Sequence, residues 1–191
     1  MALTYFKRFR MEIDLRVVPG PFPSLPEGFR FRAWSPELLP LHADVKFQSF
    51  RMEVDANVFP CLGDPEGCHR LMTEISRREG FLPQATWLVE SWDDSDLLWR
   101  PVATIQGVRD REGNGSIQNL GVVPEARSAG IGKSVLLRAL YGYQEVGIKL
   151  VSLEVTAQNT GAIRLYERMG FKIGGTVYKA VELGAIQTLS Y

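Results

Sequence analysis

A glycine-rich segment, Arg127 to Ser134, lies between a strand pattern that ends at Val123 and the clearest helical pattern of the chain. The first N–H groups of a helix have no partner within the helix, and the helix macrodipole adds about half a positive charge there. Gly130 and Gly132 carry no Cβ atom that would keep a bulky anion away from the backbone. Arg127 can add a charge-assisted contact. The segment therefore predicts a phosphate or diphosphate site, with a ligand-free strand-to-helix turn as the alternative.

Single positions argue against two other kinds of phosphate-binding loop. The P-loop of nucleotide hydrolases has a glycine five positions before its Gly-Lys-Ser ending, and that position is Arg127 here. A dinucleotide-binding fold requires Gly-x-Gly-x-x-Gly, and Val135 stands in place of the third glycine. Glu154 is spaced for a ribose contact, but the chain after it is too short to complete a doubly wound sheet.

A second motif follows the loop along the chain. It reads Asn159-Thr-Gly-Ala-Ile-Arg-Leu-Tyr166-Glu-Arg-Met-Gly-Phe171. This block and Arg127-x-x-Gly130-x-Gly132 resemble the GCN5-related N-acetyltransferase (GNAT) family. The family's loop has the form Arg/Gln-x-x-Gly-x-Gly/Ala, and its second signature is Asn-x-x-Ala-x-x-Leu-Tyr-x-x-x-Gly-Phe. Both blocks stand in the family's order, and the resemblance covers about residues 86 to 175.

The resemblance implies acetyl-coenzyme A as cosubstrate and an amine-bearing acceptor, which could be a small molecule, a peptide or a protein. It also implies that the strand ending at Val123 parts from the strand Ile148 to Val155, with pantetheine between them. A β-bulge in the first strand would produce such a gap. The cofactor-binding residues that the resemblance implies are Leu120, Gly121, Val122, Arg127, Ser128, Ala129, Gly130, Ile131, Gly132, Lys133, Ser134 and Asn159.

Tyr166 occupies the position of the family's general acid. A phenol with an ordinary pKa of about 10 is protonated at pH 7 and can protonate the departing sulfur. The alternative for a helical tyrosine is plain packing. Asn159 can cap the same helix, contact the cofactor, or do both.

The general base is harder to assign. Many family members have a glutamate at the position of Gln118, and an amide cannot accept a proton at neutral pH. Water could relay the proton to Glu90, Glu53 or Asp55, each of which we expect at the surface, or the acceptor could arrive neutral. The missing glutamate keeps a non-catalytic acyl-coenzyme A binding or sensing module as the alternative function.

The elements that position these motifs follow from hydrophobic periodicity. Period-two alternation and apolar runs predict strands at Met11 to Val17, at Phe29 to Ala33, at Thr86 to Trp92, at Val102 to Val108, at Ser116 to Val123 and at Ile148 to Val155. Helical spacing predicts helices within 45–58 and at Cys68 to Arg78, Gly130 to Val146 and Thr160 to Met169. A final strand pair is predicted at 171–183 and 186–189. This order indicates an α+β fold whose mixed, mostly antiparallel sheet has helices on both faces and one parallel crossover.

The length of 191 residues predicts a single domain, 1–191, and the resemblance implies that it is an acetyltransferase domain. We expect an extra strand and a proline-rich connector in 1–26, acceptor-side helices in 27–85 and the acetyl-coenzyme A core in 86–175. Lys and Arg total 22, equal to Asp and Glu, so binding of nucleic acid or anionic membrane through bulk charge is disfavoured.

Other features of the sequence narrow its setting. The chain has no apolar run long enough for a membrane span and no secretory signal pattern, so we expect a cytoplasmic protein. Cys61, Cys68 and His69 lack the ligand spacing of zinc sites, so we expect buried thiols and no metal. Composition fixes no oligomeric state and leaves a homodimer open.

Overall fold

The computed structural model describes residues 3–17 and 20–182. The strands are β1 (Leu3–Asp14), β2 (Phe29–Ala33), β3 (Phe81–Asp93), β4 (Leu98–Arg109), β5 (Gly115–Val122), β6 (Leu150–Thr156) and β7 (Lys172–Glu182). The helices are α1 (Leu39–Phe50), α2 (Val54–Val58), α3 (Pro65–Ser76), α4 (Ile131–Glu145) and α5 (Thr160–Arg168). Among these helices, none is both long and apolar enough to cross a membrane.

All seven strands form one sheet in the order β2-β3-β4-β5-β6-β1-β7. Neighbouring strands are antiparallel except β5 and β6, which are parallel and joined through α4. A parallel pair needs such a crossover, whereas antiparallel pairs can be joined by short turns. The predicted α+β architecture with one parallel crossover is confirmed.

Helices cover both faces of this sheet. Gln106 and Gly107 are neighbours on β4, so they face opposite sides. The Gln106 side chain is hydrogen-bonded to Lys46 of α1. A Cβ atom at Gly107 would lie 2.6 Å from the hydroxyl of Tyr143 in α4. The two helices therefore lie on opposite faces, with the main hydrophobic core between α4 and the sheet.

The helix predicted within 45–58 is two helices. α1 ends at Phe50, and the Glu53 backbone is extended, with φ −102° and ψ 159°, before α2 begins at Val54. The Glu53 N–H donates to the Phe50 carbonyl at 2.9 Å, which closes the turn between the helices. The apolar spacing continues through this turn, so periodicity alone could not reveal the break. As a result, Asp55 lies against β6 and does not continue the line of α1.

β1 differs from its prediction in length and in place. The alternation from Met11 to Val17 predicts a short extra strand, but the strand is Leu3–Asp14. It lies between β6 and β7 and pairs antiparallel with both. β7 therefore has β1 as its neighbour, and the partner predicted for it at 186–189 lies outside the described residues. Alternation identifies a strand but does not identify its neighbours.

Candidate functional site

The gap between β5 and β6 begins at a β-bulge. Of the β5 residues, Gly115 and Ser116 pair with β6. On its other edge, β5 stays paired with β4 up to Val122, but the register shifts at Gln118, which has no partner on β4. An extra residue bends its strand and increases the local twist. The bulge therefore lies where β5 departs from β6.

Backbone groups of β5 face this gap. The Val123 N–H donates to the Val102 carbonyl on the β4 side at 2.9 Å. Because backbone groups alternate in direction along a strand edge, those of Val122 and Leu120 face away from β4. The Val122 carbonyl accepts a hydrogen bond from the Arg127 guanidinium at 3.1 Å. A peptide-like ligand can satisfy the remaining groups, namely the Leu120 N–H and carbonyl and the Val122 N–H.

The segment between β5 and the first turn of α4, residues 127–134, presents free amides, and we call it the amide loop. Within the described residues, the backbone N–H groups of 128–133 donate no hydrogen bond to the protein, and the Ser134 N–H donates to the Gly130 carbonyl at 3.1 Å. Ser128 and Gly130 have left-handed backbones, with φ of 67° and 79°. A glycine suits this conformation at position 130 because other residues are strained there. The amides at this helix N-terminus form a site suited to an anion.

A cleft of about 1080 Å³ lies beside this loop, between β5 and α5, and we call it the loop cleft. The predicted cofactor residues that line it are Leu120, Gly121, Val122, Arg127, Ser128, Gly130, Ile131, Gly132, Lys133 and Asn159. Ala129 and Ser134 are not among its lining residues. The Ser134 hydroxyl instead donates to the Ser24 carbonyl at 2.6 Å. The structure therefore assigns Ser134 a contact with the proline-rich connector.

The Arg127 guanidinium is occupied by partners within the protein. It donates to the Glu53 carboxylate at 2.7 Å, to the Ser49 carbonyl at 3.0 Å and to the Val122 carbonyl at 3.1 Å. The sequence predicts a charged contact from this side chain to an anion. In the structure, Arg127 fastens the loop to the end of α1 and is not a free charge in the loop cleft.

A second cavity, of about 520 Å³, lies among β1, β6, α3 and the α2 segment, and we call it the helix cavity. It shares five lining residues with the loop cleft. They are Phe50, Leu120, Asn159, Ala162 and Tyr166. The two spaces therefore meet at the N-terminal half of α5, next to the gap between the strands.

Tyr166 lies at this junction. Its ring packs against Phe171, with centroids 5.8 Å apart, and the residue is 8% exposed. Burial, with a contribution from the negative charge of Asp55, raises the pKa of the phenol above its usual value. The side chain is thus both packed and protonated at neutral pH, as a proton donor must be.

Asp55 is the functional candidate that sequence reasoning undervalued. We expected it at the surface, and that expectation is wrong because α2 places it 9% exposed against β6. Its carboxylate accepts hydrogen bonds from the Thr156 hydroxyl at 2.9 Å and from the Asn159 amide at 3.2 Å. The Asn159 side chain also accepts from the Ala162 N–H at 3.2 Å. Asn159 therefore caps α5, as predicted, and orients Asp55 as well.

Glu90 and Gln118 differ in their position relative to the cavities. Glu90 is 1% exposed, so its expected surface position is wrong. Its carboxylate is paired with Arg30 at 2.7 Å and Arg32 at 2.9 Å, and it lines neither cavity. Gln118 lines the helix cavity and accepts a hydrogen bond from Arg78 at 2.6 Å.

The cysteines form no metal centre in the described part of the chain. Cys61 and Cys68 are free, and burial raises the pKa of both thiols, that of Cys68 to about 11. Across residues 3–17 and 20–182, no group of three or more His, Cys, Asp or Glu side chains is arranged to hold a metal ion.

Residues 58–171 match the model of the acetyltransferase (GNAT) family. A mycothiol acetyltransferase from Thermobispora bispora is 30% identical over 158 residues, which are 80% of this chain and 50% of that protein. The chain spans about half the length of the curated relatives it matches.

Solved structures share the fold. A GCN5-related N-acetyltransferase from Sphaerobacter thermophilus has a TM-score of 0.70 at 23% identity, covering 97% of this chain and 54% of that one. Another from Kribbella flavida has a TM-score of 0.60 at 19% identity, covering 97% and 63%. The family match extends over more than half of the sequence and includes the bulged strand, the amide loop and α5. The chain belongs to the acetyltransferase (GNAT) family.

Proposed function

We propose that this protein transfers the acetyl group of acetyl-coenzyme A to an amine by direct attack within a ternary complex. The observation that carries the proposal is the position of Tyr166, where the loop cleft meets the helix cavity. Each substrate has a space of its own, and a protonated hydroxyl lies between them.

The loop cleft would hold the cosubstrate. The free N–H groups of 128–133 and the dipole of α4 suit the diphosphate, and the backbone of Leu120 and Val122 suits the pantetheine amides. Acetyl-coenzyme A supplies an activated thioester carbonyl. The protein supplies polar backbone groups in fixed positions, so little reorganisation is needed on binding.

The helix cavity would hold the acceptor. Its volume of about 520 Å³ lies within the range of small-molecule sites, roughly 300–1,000 Å³. Its lining includes the carboxylates of Asp55 and Glu154 and the guanidinium groups of Arg8 and Arg78. We infer a small polar amine as the acceptor, in keeping with the mycothiol acetyltransferases among the relatives.

Two side chains would handle the protons. Asp55 takes the proton that the amine loses as its nitrogen bonds to the acetyl carbon, directly or through one water. The C–S bond then breaks, and the Tyr166 hydroxyl donates its proton to the departing sulfur. Thr156 and Asn159 hold the Asp55 carboxylate in place, so Asp55 supplies the base that Gln118 cannot.

The test is thiol release from acetyl-coenzyme A with a panel of small amines. Replacing Tyr166 with Phe keeps the ring packing but removes the donor, so kcat should fall by about 10² to 10⁴. The affinity for acetyl-coenzyme A should stay within about twofold, because the phenol acts on the leaving sulfur and not on ground-state binding.

Tyr141→Phe is the matched control. Tyr141 lies on α4, where its hydroxyl donates to the Gly20 carbonyl at 2.8 Å, and it lines neither cavity. If Tyr166→Phe turns over as fast as Tyr141→Phe, Tyr166 has no role in the chemistry. If the wild type binds acetyl-coenzyme A tightly and acetylates no amine, the non-catalytic binding module, which Gln118 favours, is the better description.

A further inference from the structure

One lysine of α1 has its side chain fully buried between this helix and the sheet, and the reaction proposed above does not use it. Lys46 has no exposed surface. Its Nζ donates hydrogen bonds to the Gln106 side-chain oxygen on β4 and to the Asn119 side-chain oxygen on β5, the latter at 2.9 Å. One amine therefore connects two neighbouring strands from the side of the helix.

The contact is located at the bulge. Gln106 and Asn119 are the pair of residues at which the β4–β5 register shifts, and Gln118 is the extra residue beside them. Beyond this point, β5 no longer pairs with β6, and the backbone of Leu120 faces the gap. Lys46 thus holds the two strands together where the gap begins.

The surroundings of Lys46 contain no countercharge. Within the described residues, it forms no ion pair with a carboxylate. The polar and titratable groups that face it are His42 on its own helix, Cys61 and Cys68 on the α3 side, and Thr104 and the two amides on the sheet.

Removing a cation from water without a countercharge is costly even when two amide oxygens accept its hydrogen bonds, and burial lowers the pKa of the Lys46 amine to about 7. An apolar side chain of similar length would avoid this cost. The stability of the helix–sheet packing therefore gives no reason for a lysine at this position, whereas the geometry of the bulge does.

We propose that Lys46 is a positioning residue for acetyl-coenzyme A, because its bonds to Gln106 and Asn119 fix the bulge that keeps β5 apart from β6. This inference rests on the proposed function of the loop cleft. It assigns a cofactor-affinity role to a residue that lines neither the loop cleft nor the helix cavity.

The matched control lies one helical turn away. His42 is also fully buried on α1, and its Nδ1 lies 2.8 Å from the Thr104 hydroxyl and 3.4 Å from the Gln106 amide nitrogen, both on β4. Within the described residues it has no hydrogen bond to Asn119 on β5. Lys46→Met and His42→Leu both remove a buried polar group from the same network. Only the first removes a hydrogen bond to Asn119, on the bulged strand β5, and with it the link between β4 and β5.

The experiment measures the dissociation constant for acetyl-coenzyme A by calorimetry, the steady-state constants and the melting temperature for the wild type and both variants. Lys46→Met should raise both the dissociation constant and the KM for acetyl-coenzyme A by about tenfold or more, with a smaller change in kcat. His42→Leu should leave both within about twofold, although its melting temperature also changes.

Hydrogen exchange provides a readout that does not depend on ligand. The amides of 118–122 should exchange faster in Lys46→Met than in His42→Leu when the two variants are compared at equal global stability. If Lys46→Met does not fold, Asn119→Leu removes the β5 half of the same contact and should give the same rise in the KM for acetyl-coenzyme A.

The outcomes separate the two proposals. If the wild type binds acetyl-coenzyme A and Lys46→Met binds it equally well, the positioning role is wrong and the proposed function stands. Parallel losses in Lys46→Met and His42→Leu would also overturn the role. A wild type that does not bind acetyl-coenzyme A would overturn the proposed function itself.

Discussion

The loop cleft and the helix cavity are built in different ways. The anion-binding part of the loop cleft consists of backbone amides from one short stretch of chain, residues 128–133, while α1, α2 and α5 supply other parts of its lining. The helix cavity is lined by residues of β1, α2, α3, β5, β6 and α5, which are far apart in sequence. A backbone site leaves a glycine-rich signature in one short segment, whereas a side-chain site is assembled only when the chain folds.

The largest expected effect that would distinguish the helix cavity from the loop cleft is the loss of amine turnover on replacing Asp55. Asp55→Asn should lower kcat/KM for the amine by about 10² to 10⁴, because the amide cannot accept a proton. The affinity for acetyl-coenzyme A should stay within about twofold, since the loop cleft is built separately. Steady-state kinetics and calorimetry measure the two quantities.

Glu53→Gln is the control for Asp55→Asn because Glu53 lies on the same segment, but its carboxylate is bound to Arg127 on the loop-cleft side. Its effect on amine turnover should be small. Equal losses in the two variants would show that this segment acts on turnover as a whole and not through the Asp55 carboxylate.

The next effect is a pH dependence of stability caused by Lys46. Its pKa is lowered to about 7 in the fold, while the unfolded chain keeps the ordinary value near 10.4. Between these values, the unfolded state binds the extra proton, so the unfolding free energy rises with pH by up to about 1.4 kcal/mol per pH unit.

The free energy of unfolding of the wild type minus that of Lys46→Met should show this rise between about pH 7 and 10 and should be flat below pH 7. Taking the difference reduces the opposite contribution of the Cys68 thiol, whose pKa is raised in the fold by burial. Urea titrations across the range would measure it. A flat difference throughout would mean that Lys46 is hydrated in solution.

A smaller effect tests the close packing of α1 against the backbone of β5. A Cβ atom at Gly121 would lie 2.8 Å from the Ser49 Cβ and 3.0 Å from the Phe50 ring. Gly121→Ala should therefore push α1 away from β5 and lower the unfolding free energy by about 1–3 kcal/mol. Denaturant unfolding is the measurement.

Gly132→Ala is the counterpart within the amide loop. A Cβ atom there would lie 3.5 Å from the Leu165 side chain and 3.6 Å from that of Val122, which are ordinary contacts. This variant should be as stable as the wild type or more stable by up to about 1 kcal/mol, since alanine favours helix. A larger loss than in Gly121→Ala would contradict the tight packing of α1 on β5.

The smallest effect concerns the ion pair within the loop cleft, between Arg127 and Glu53. Arg127 and Glu53 are 41% and 36% exposed at their side chains, and their atoms lie 2.7 Å apart. A double-mutant cycle with Arg127→Ala and Glu53→Ala should give a coupling of about 0.2–1 kcal/mol, smaller at high salt. A coupling above about 2 kcal/mol would mean that the pair is far better shielded from water than its exposure indicates.

Features of the site that depend on one short segment could be predicted from the sequence, whereas contacts between distant segments could not. The amide loop, the parallel crossover and the cap at Asn159 were readable because their signals are local: glycine spacing, apolar runs and a helix start. The Arg127–Glu53 pair, the Lys46 contact with the bulge and the burial of Asp55 were not readable. Each joins residues that are sixty or more positions apart in the chain.

The place of β1 could not be read for a related reason. Its alternation was visible, but hydrophobic patterning carries no information on which strands lie on either side. The turn at Glu53 was missed because the apolar spacing of α1 continues into α2. The neighbours of β1 and the break between α1 and α2 both depend on the folded chain and not on the local sequence pattern.

The insertion of β1 between β6 and β7 has a consequence for biosynthesis. The ribosome releases this strand early, yet its partners on both edges are made near the other end of the described chain. Pairing across such a long separation is slow, and an unpaired strand edge can associate with other chains. The nascent protein must therefore carry an open β1 until β6 and β7 emerge, and this interval is when chaperones would matter most.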